Sequence, residues 1–183
     1  MIWEKINTKV FLTINSWPHP DWAVFLMRFF SLIGYGGIFW LVLALLIILL
    51  DQKKIRRVKA FFLIVIALVA TLIINEIFIK NIFAIIRPQY VLLEPGLRFW
   101  EKGFSDYSFV SGHAFSYFAC AFFLTKLYSG QSWWLYILAT ITAFSRVYLG
   151  SHWPFDILAG AALGLLTGVV IWRLWHIPLS KNK

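Results

Sequence analysis

Residues 53–88 read KKIRRVKAFFLIVIALVATLIINEIFIKNIFAIIRP, and the fold follows from how this stretch divides. Five cations (Lys53, Lys54, Arg56, Arg57 and Lys59) crowd its start, the run 59–79 is apolar, and Lys80 and Arg87-Pro88 close it. About 20 predominantly apolar residues cross the hydrocarbon core of a bilayer as a helix. A short basic loop beside a span stays on the cytoplasmic side. The stretch therefore predicts a membrane helix near 59–85, with a basic cytoplasmic foot and Lys80 and Arg87 carried to the opposite side.

The rest of the chain repeats this pattern. Of 183 residues, 61% are hydrophobic and 14% charged, with a mean hydropathy of +0.77, whereas soluble domains are about a quarter charged. Further spans are expected at 36–50, 110–127, 133–149 and 154–175. Residues 21–33 contain Arg28 and read as a short or tilted helix before the span at 36–50; a single kinked span over 22–50 is the alternative. Residues 1–16 alternate apolar and charged and read as an interfacial helix, with Trp3 and Trp17 at headgroup level. They carry Glu4, Lys5 and Lys9, so no cleavable signal peptide is expected. The prediction is one membrane-embedded domain over 1–183, an all-α bundle of about five to six transmembrane helices with an N-terminal interfacial helix. Cys120, the single cysteine, reads as a core thiol. The net charge of +9 does not call for nucleic acid, because the basic residues have a membrane explanation.

Charge then orients the spans. With 51–58 cytoplasmic, the irregular stretch 88–108 lies outside, and the next span returns inward to Lys126. The following span carries Ser145 and Arg146 out, and the last runs from His152 inward to Arg173, Lys181 and Lys183. Three polar clusters thereby share the extracytoplasmic side of the membrane.

Each cluster has a chemical and a structural reading. Lys80 and Arg87, seven apart, would share a helix face two turns apart and grip a phosphate, with Pro88 ending the helix. Alternatively they are interfacial cations snorkelling to headgroups. Ser111-Gly112-His113 opens an apolar helix: Ser caps it, the first amides form an anion site, Gly112 admits close approach, and His113 is a candidate general acid. An ordinary capped helix with an interfacial histidine is the plainer reading. In the third cluster Asp156 lies four residues after His152, with Pro154 suited to the first helical turn between them. That spacing lets the carboxylate hold one ring nitrogen and leaves the other free as a nucleophile, with Arg146 nearby to neutralise transition-state charge. A salt-bridged helix start is the competing reading. His113, His152 and Asp156 also have the composition of a metal site, but three surrounding cations favour an anion, so neither metal nor cofactor is expected.

In these residues the chain resembles the type 2 phosphatidic acid phosphatase superfamily, which includes bacterial lipid phosphatases and vanadium haloperoxidases. The family pattern K-x6-R-P, P-S-G-H, S-R-x5-H-x3-D appears as KNIFAIIRP (80–88), VSGH (110–113) and SRVYLGSHWPFD (145–156), with Val110 in place of the proline. The resemblance implies a helical bundle with the site at one end and a metal-independent phosphatase or diphosphatase. His152 would be the nucleophile, Asp156 its orienter and His113 the acid. Lys80, Arg87, Ser111, Gly112 and Arg146 would bind phosphate, with Pro88 and Ser145 in support. It also implies a phosphorylated lipid of the bacterial cytoplasmic membrane, with undecaprenyl diphosphate, lipid A 1-phosphate and phosphatidylglycerophosphate as candidates. The outward aromatics Phe99, Trp100, Phe104, Tyr107 and Phe109 suit an interfacial rim or an anchoring belt. Two further classes stay open: a non-catalytic phospholipid binder or transporter, and a vanadate-dependent oxidase. Nothing in the sequence speaks to oligomeric state.

Overall fold

A computed structural model describes residues 2–93, 95–101, 105–128 and 133–176, and all the regular structure within them is helical. Helix α1 spans Ile2–Asn15, α2 Asp21–Gly34, α3 Ile38–Leu50 and α4 Lys54–Ile73. A π-helical turn, Ile74–Ile79, joins α4 to α5 (Lys80–Phe83), and a short α6 (Pro88–Val91) follows. The last three are α7 (Gly112–Leu127), α8 (Trp134–Tyr148) and α9 (Pro154–Trp175).

Two of these are long and apolar enough to cross a bilayer alone: the continuous helix Lys54–Phe83, of 30 residues, and α9, of 22. The other predicted spans form shorter helices: 13 residues in α3, 16 in α7 and 15 in α8. At 1.5 Å per residue these rise about 20–24 Å, less than the ~30 Å hydrocarbon core. Between α2 and α3 the chain bends by 68°, so 22–50 is not one straight span. Gly37 sits at this bend with φ +72°, a conformation that suits glycine.

Helix α7 is the hub. Ala114, Phe115, Tyr117, Ala119, Cys120, Ala121, Phe123 and Leu124 are all buried, so most of its circumference faces other helices. Its most extensive partner is α9, and the reason lies in three glycines one turn apart. A Cβ on Gly160 would stand 2.8 Å from the Ser111 carbonyl, one on Gly164 2.4 Å from the Phe115 carbonyl, and one on Gly168 2.8 Å from the Phe122 ring. Small residues at this spacing let two helix backbones approach closely. That approach brings the Ser111 amide within 3.1 Å of the Asp156 carbonyl, joining the second and third polar clusters.

Helices α3, α4, α7, α8 and α9 alternate in direction, and contacts at the far end confirm the register. The Tyr128 hydroxyl, at the end of α7, donates to Asp51 between α3 and α4 at 2.6 Å. Lys59, on the first turns of α4, meets His176 after α9 at 2.7 Å. The cations Lys53, Lys54, Arg56, Arg57, Lys59, Lys126 and Arg173 belong to this end, while Lys181 and Lys183 lie outside the described residues. Helices α1 and α2 sit at the opposite end. Asn7 accepts from the Phe155 amide at the start of α9, and Asn15 exchanges two hydrogen bonds with the Arg98 backbone. Helix α1 buries Phe11 against Phe99 and Trp153 and leaves Ile2, Trp3, Ile6 and Val10 exposed.

Candidate functional site

Lys80 and Arg87 do not share a helix face as their spacing suggested. The helix ends at Phe83, Ala84 turns into the left-handed region (φ 47°), and Arg87 is extended ahead of Pro88, the first residue of α6. One helical turn therefore interrupts the stretch 88–108 that reads as irregular. The two cations still converge, through chain reversal. Lys80 Nζ donates to Ser105 Oγ at 3.1 Å, and Arg87 Nε donates to the Ser105 carbonyl at 2.6 Å. Both are almost fully buried.

His152 lies between Asp156 and Arg87. Its Nδ1 meets Asp156 Oδ2 at 3.2 Å, and its Nε2 receives Arg87 Nη1 at 3.1 Å. Asp156 Oδ2 also accepts the Trp153 amide at 2.9 Å, so one carboxylate caps α9 and orients the ring, with Pro154 opening the helix. Nδ1 therefore carries the hydrogen and the Nε2 lone pair faces the cations. Burial, together with the charges of Arg87 and Arg146, holds the imidazole neutral far below the usual histidine range. The loop before it winds around the Arg146 carbonyl, which accepts from the amides of Ser151 and His152 at 2.9 and 3.2 Å. Gly150 allows this turn: its φ is +84°, and a Cβ there would lie 2.8 Å from the Arg98 carbonyl.

Ser111 occupies the N-cap position of α7, but its hydroxyl does not cap the helix. The Oγ is buried with no partner among the described residues, and the cavity wall passes through its neighbours Gly112 and His113. Gly112 lines the site beside Asn75. His113 projects from the first turn, and its Nε2 donates to the Ser31 carbonyl at 3.1 Å, leaving Nδ1 free of protein partners among the described residues. Ser145 turns away, donating to the Thr142 carbonyl at 2.7 Å within its own helix.

Arg146 has partners the sequence did not foretell. Nη1 donates to both Ser31 Oγ and Glu101 Oε2, and Ser31 Oγ donates to the same carboxylate at 2.6 Å. Its Nε is buried without a partner among the described residues, and its guanidinium lies 5.8 Å from the Tyr35 ring centre. Ser31 and Tyr35 lie far from the three motifs in sequence, and Glu101 falls between the first two without belonging to either. Nothing in the chain said what packs against Arg146.

The aromatic stretch is less of a rim than its composition implies. Phe99 stacks on Phe11, Trp100 on His19, and Phe109 packs on Phe83, all half-buried. Phe104 lies outside the described residues.

Lys80, Arg87, Gly112, His113, Arg146 and His152 share one cavity of about 570 Å³. Below them it continues as an apolar slot between α3 and α4, past Gly37 and Leu41 on one side and Val65, Leu68, Val69 and Leu72 on the other. Among the described residues no three histidine, cysteine or carboxylate side chains come together as metal ligands.

These features describe a helical protein with two helices of membrane-crossing length and, at one end, a cavity where three basic side chains and two histidines meet. The chain belongs to the PAP2 superfamily, whose family model matches residues 59–178. It is 27% identical over 97% of its length to a lipid A 4'-phosphatase of Porphyromonas gingivalis, 76% of which is covered. It is 34% identical over 89% of its length to an undecaprenyl-diphosphatase of Sulfolobus acidocaldarius, with 71% of that protein covered. The crystal structure of LpxE from Aquifex aeolicus superposes with a TM-score of 0.68 at 26% identity, covering 92% of this chain and 95% of that one.

Proposed function

We propose that this chain hydrolyses a phosphorylated membrane lipid, monoester or diphosphate, at the extracytoplasmic face of a bacterial cytoplasmic membrane through a phosphohistidine on His152. The observation that carries the reading is the continuity of the two-histidine, three-cation site with an apolar slot between α3 and α4. An amphiphile fits that shape, with its phosphate among the cations and its chain between the helices.

His152 Nε2 attacks phosphorus while Asp156 holds Nδ1–H and stabilises charge on the ring. Arriving phosphate oxygens take over the N–H groups of Arg87 and Arg146, and Lys80, the Ser111 hydroxyl and the Gly112 amide bind the remainder. As the P–N bond forms, the bond to the leaving oxygen breaks and His113 supplies that oxygen's proton. Nδ1 carries this proton, because Nε2–H is engaged with Ser31. Neutral His113 then takes a proton from water, which attacks phosphorus, cleaves the P–N bond and frees phosphate and His152.

We assign five crossings (α3, the α4–α5 helix, α7, α8 and α9), with α1 and α2 at the interface on the site side. The basic residues gathered at the opposite end support an outward-facing site, since positive charge stays cytoplasmic. The test is phosphate release by purified protein in detergent with EDTA, on undecaprenyl diphosphate, lipid A 1-phosphate and phosphatidylglycerophosphate. Turnover of at least one, lost in His152→Ala together with an acid-labile, alkali-stable phosphoenzyme, is expected. A His152→Ala protein that still turns over would refute the mechanism.

A further inference from the structure

The π-helical turn at Ile74–Ile79 places side chains in the site that an α-helix would have scattered. In an α-helix, residues five apart diverge by about 140°. Here the Lys80 amide donates to the Asn75 carbonyl five residues back, which sets Asn75 and Lys80 one above the other. Asn75, Glu76 and Lys80 all line the cavity, where the cationic cluster gives way to the apolar slot. Asn75 lies against Gly112, where a Cβ would be 3.3 Å from its Nδ2.

The partners of this group are unbalanced. Glu76 Oε1 takes Lys80 Nζ at 2.6 Å and Asn75 Nδ2 at 3.2 Å. The carboxylate needs donors, so the Asn75 amide must turn its N–H₂ toward Glu76 and its oxygen away. That oxygen, Asn75 Oδ1, is buried, on a residue only 1% exposed, and has no partner among the described residues. A buried acceptor left without a donor is costly, and such groups in native proteins have a use. Neither Asn75 Oδ1 nor a carboxylate oxygen can donate. Whatever completes them must bring N–H or O–H groups and must sit between phosphate and tail.

We infer that Asn75 and Glu76 form a leaving-group subsite that selects lipids carrying a hydroxyl or amide N–H close to the phosphate ester. This rests on the phosphatase reading above and sharpens its substrate class. A glycerol or an acylated amino-sugar headgroup supplies such donors; a polyprenyl chain supplies none. Asn75 is thus a specificity residue that touches the leaving group and takes no part in bond making.

Two matched pairs of substrates test this in the wild-type protein. The first is phosphatidylglycerophosphate against its analogue lacking the free glycerol hydroxyl. The second is an N-acylglucosamine-based glycolipid 1-phosphate against the analogue with an ester in place of the amide. The loss of one hydrogen bond to a buried acceptor predicts kcat/KM about tenfold lower for the donor-free member of at least one pair, and that pair names the headgroup. In Asn75→Leu the two members of that pair should become equal within about twofold. Equal rates within both wild-type pairs would overturn the inference, as would a discrimination that survives Asn75→Leu. If Asn75→Leu does not fold, the wild-type pairs decide alone. Failure of the phosphatase reading looks different, because wild type would then release phosphate from no lipid at all.

Discussion

Gly34→Ala isolates the positioning of His113 from everything else in the site. Gly34 has ordinary right-handed helical angles (φ −75°, ψ −18°), so alanine costs the backbone nothing and suits a helix better than glycine. The trouble is spatial. The new Cβ would stand 2.4 Å from His113 Cδ2, 3.0 Å from its Nε2 and 3.0 Å from Thr142 Cγ2, where ordinary contact is 3.4–4 Å. The imidazole must therefore retreat by about 1 Å or more, and its 3.1 Å bond to the Ser31 carbonyl stretches beyond hydrogen-bonding range. A 1 Å misplacement of a reacting group costs on the order of 10²-fold in rate. We predict kcat about 100-fold lower on a lipid phosphate, with the melting temperature within a few degrees of wild type. The loss should shrink toward tenfold or less on p-nitrophenyl phosphate, whose leaving group needs little protonation. Steady-state kinetics on both substrates beside a thermal melt separates the possibilities. Unchanged lipid turnover would refute the role given to the end of α2, and an equal loss on both substrates would refute the role given to His113 as acid.

Three other outcomes follow from the packing and charges of the fold. The His152 ring should remain neutral at pH 5.5 in ¹⁵N NMR, and Arg87→Gln should raise its titration toward the usual histidine range by removing a facing positive charge; a wild-type midpoint near 6.5 would contradict this. Gly164→Ala forces a Cβ to 2.4 Å from the Phe115 carbonyl and should destabilise the protein by about 1–3 kcal/mol, read as a lowered midpoint in a denaturant or thermal scan. Asp51, held well below the usual carboxylate range by Arg56, by the Tyr128 hydroxyl and by the Lys53 amide, clamps the basic end, while the Tyr128 phenol is pushed up to about 12. A depressed carboxylate stabilises the fold above its unfolded value and loses that contribution as pH falls through the folded one. Asp51→Asn should therefore melt earlier than wild type at pH 7, with the gap closing below pH 3.8.

How much of this was readable in the chain depended on the range of each interaction. His152 and Asp156 lie one helical turn apart, and Pro154 fixes that turn, so spacing alone put the carboxylate on the ring. The basic foot at 53–59 and the apolar runs are likewise local patterns, and the helices they predicted are present. The Lys80–Arg87 pair shows where local reasoning stops. Period-3.6 logic aligned them correctly in effect but for the wrong reason, because between them the helix stops at Phe83 and the chain turns left-handed at Ala84. Neither break has a strong sequence signature.

The long-range parts of the site were silent for a physical reason. Glu101 and Ser31 reach Arg146 across 45 and 115 residues of chain, and their identities alone are those of any loop acid and any helix serine. The same holds for Gly160, Gly164 and Gly168: a four-residue glycine repeat is a packing signal only once its partner helix is known. Yet these residues decide how well the legible motifs can work. Without the close α7–α9 approach, Ser111 does not reach Asp156; without the end of α2, His113 has no fixed tautomer. The three motifs carry the reacting groups, and the glycines and α2 hold them at reacting distance. That division explains why Gly34→Ala, outside the motifs, should cost activity without costing the fold, whereas Gly164→Ala costs the fold itself.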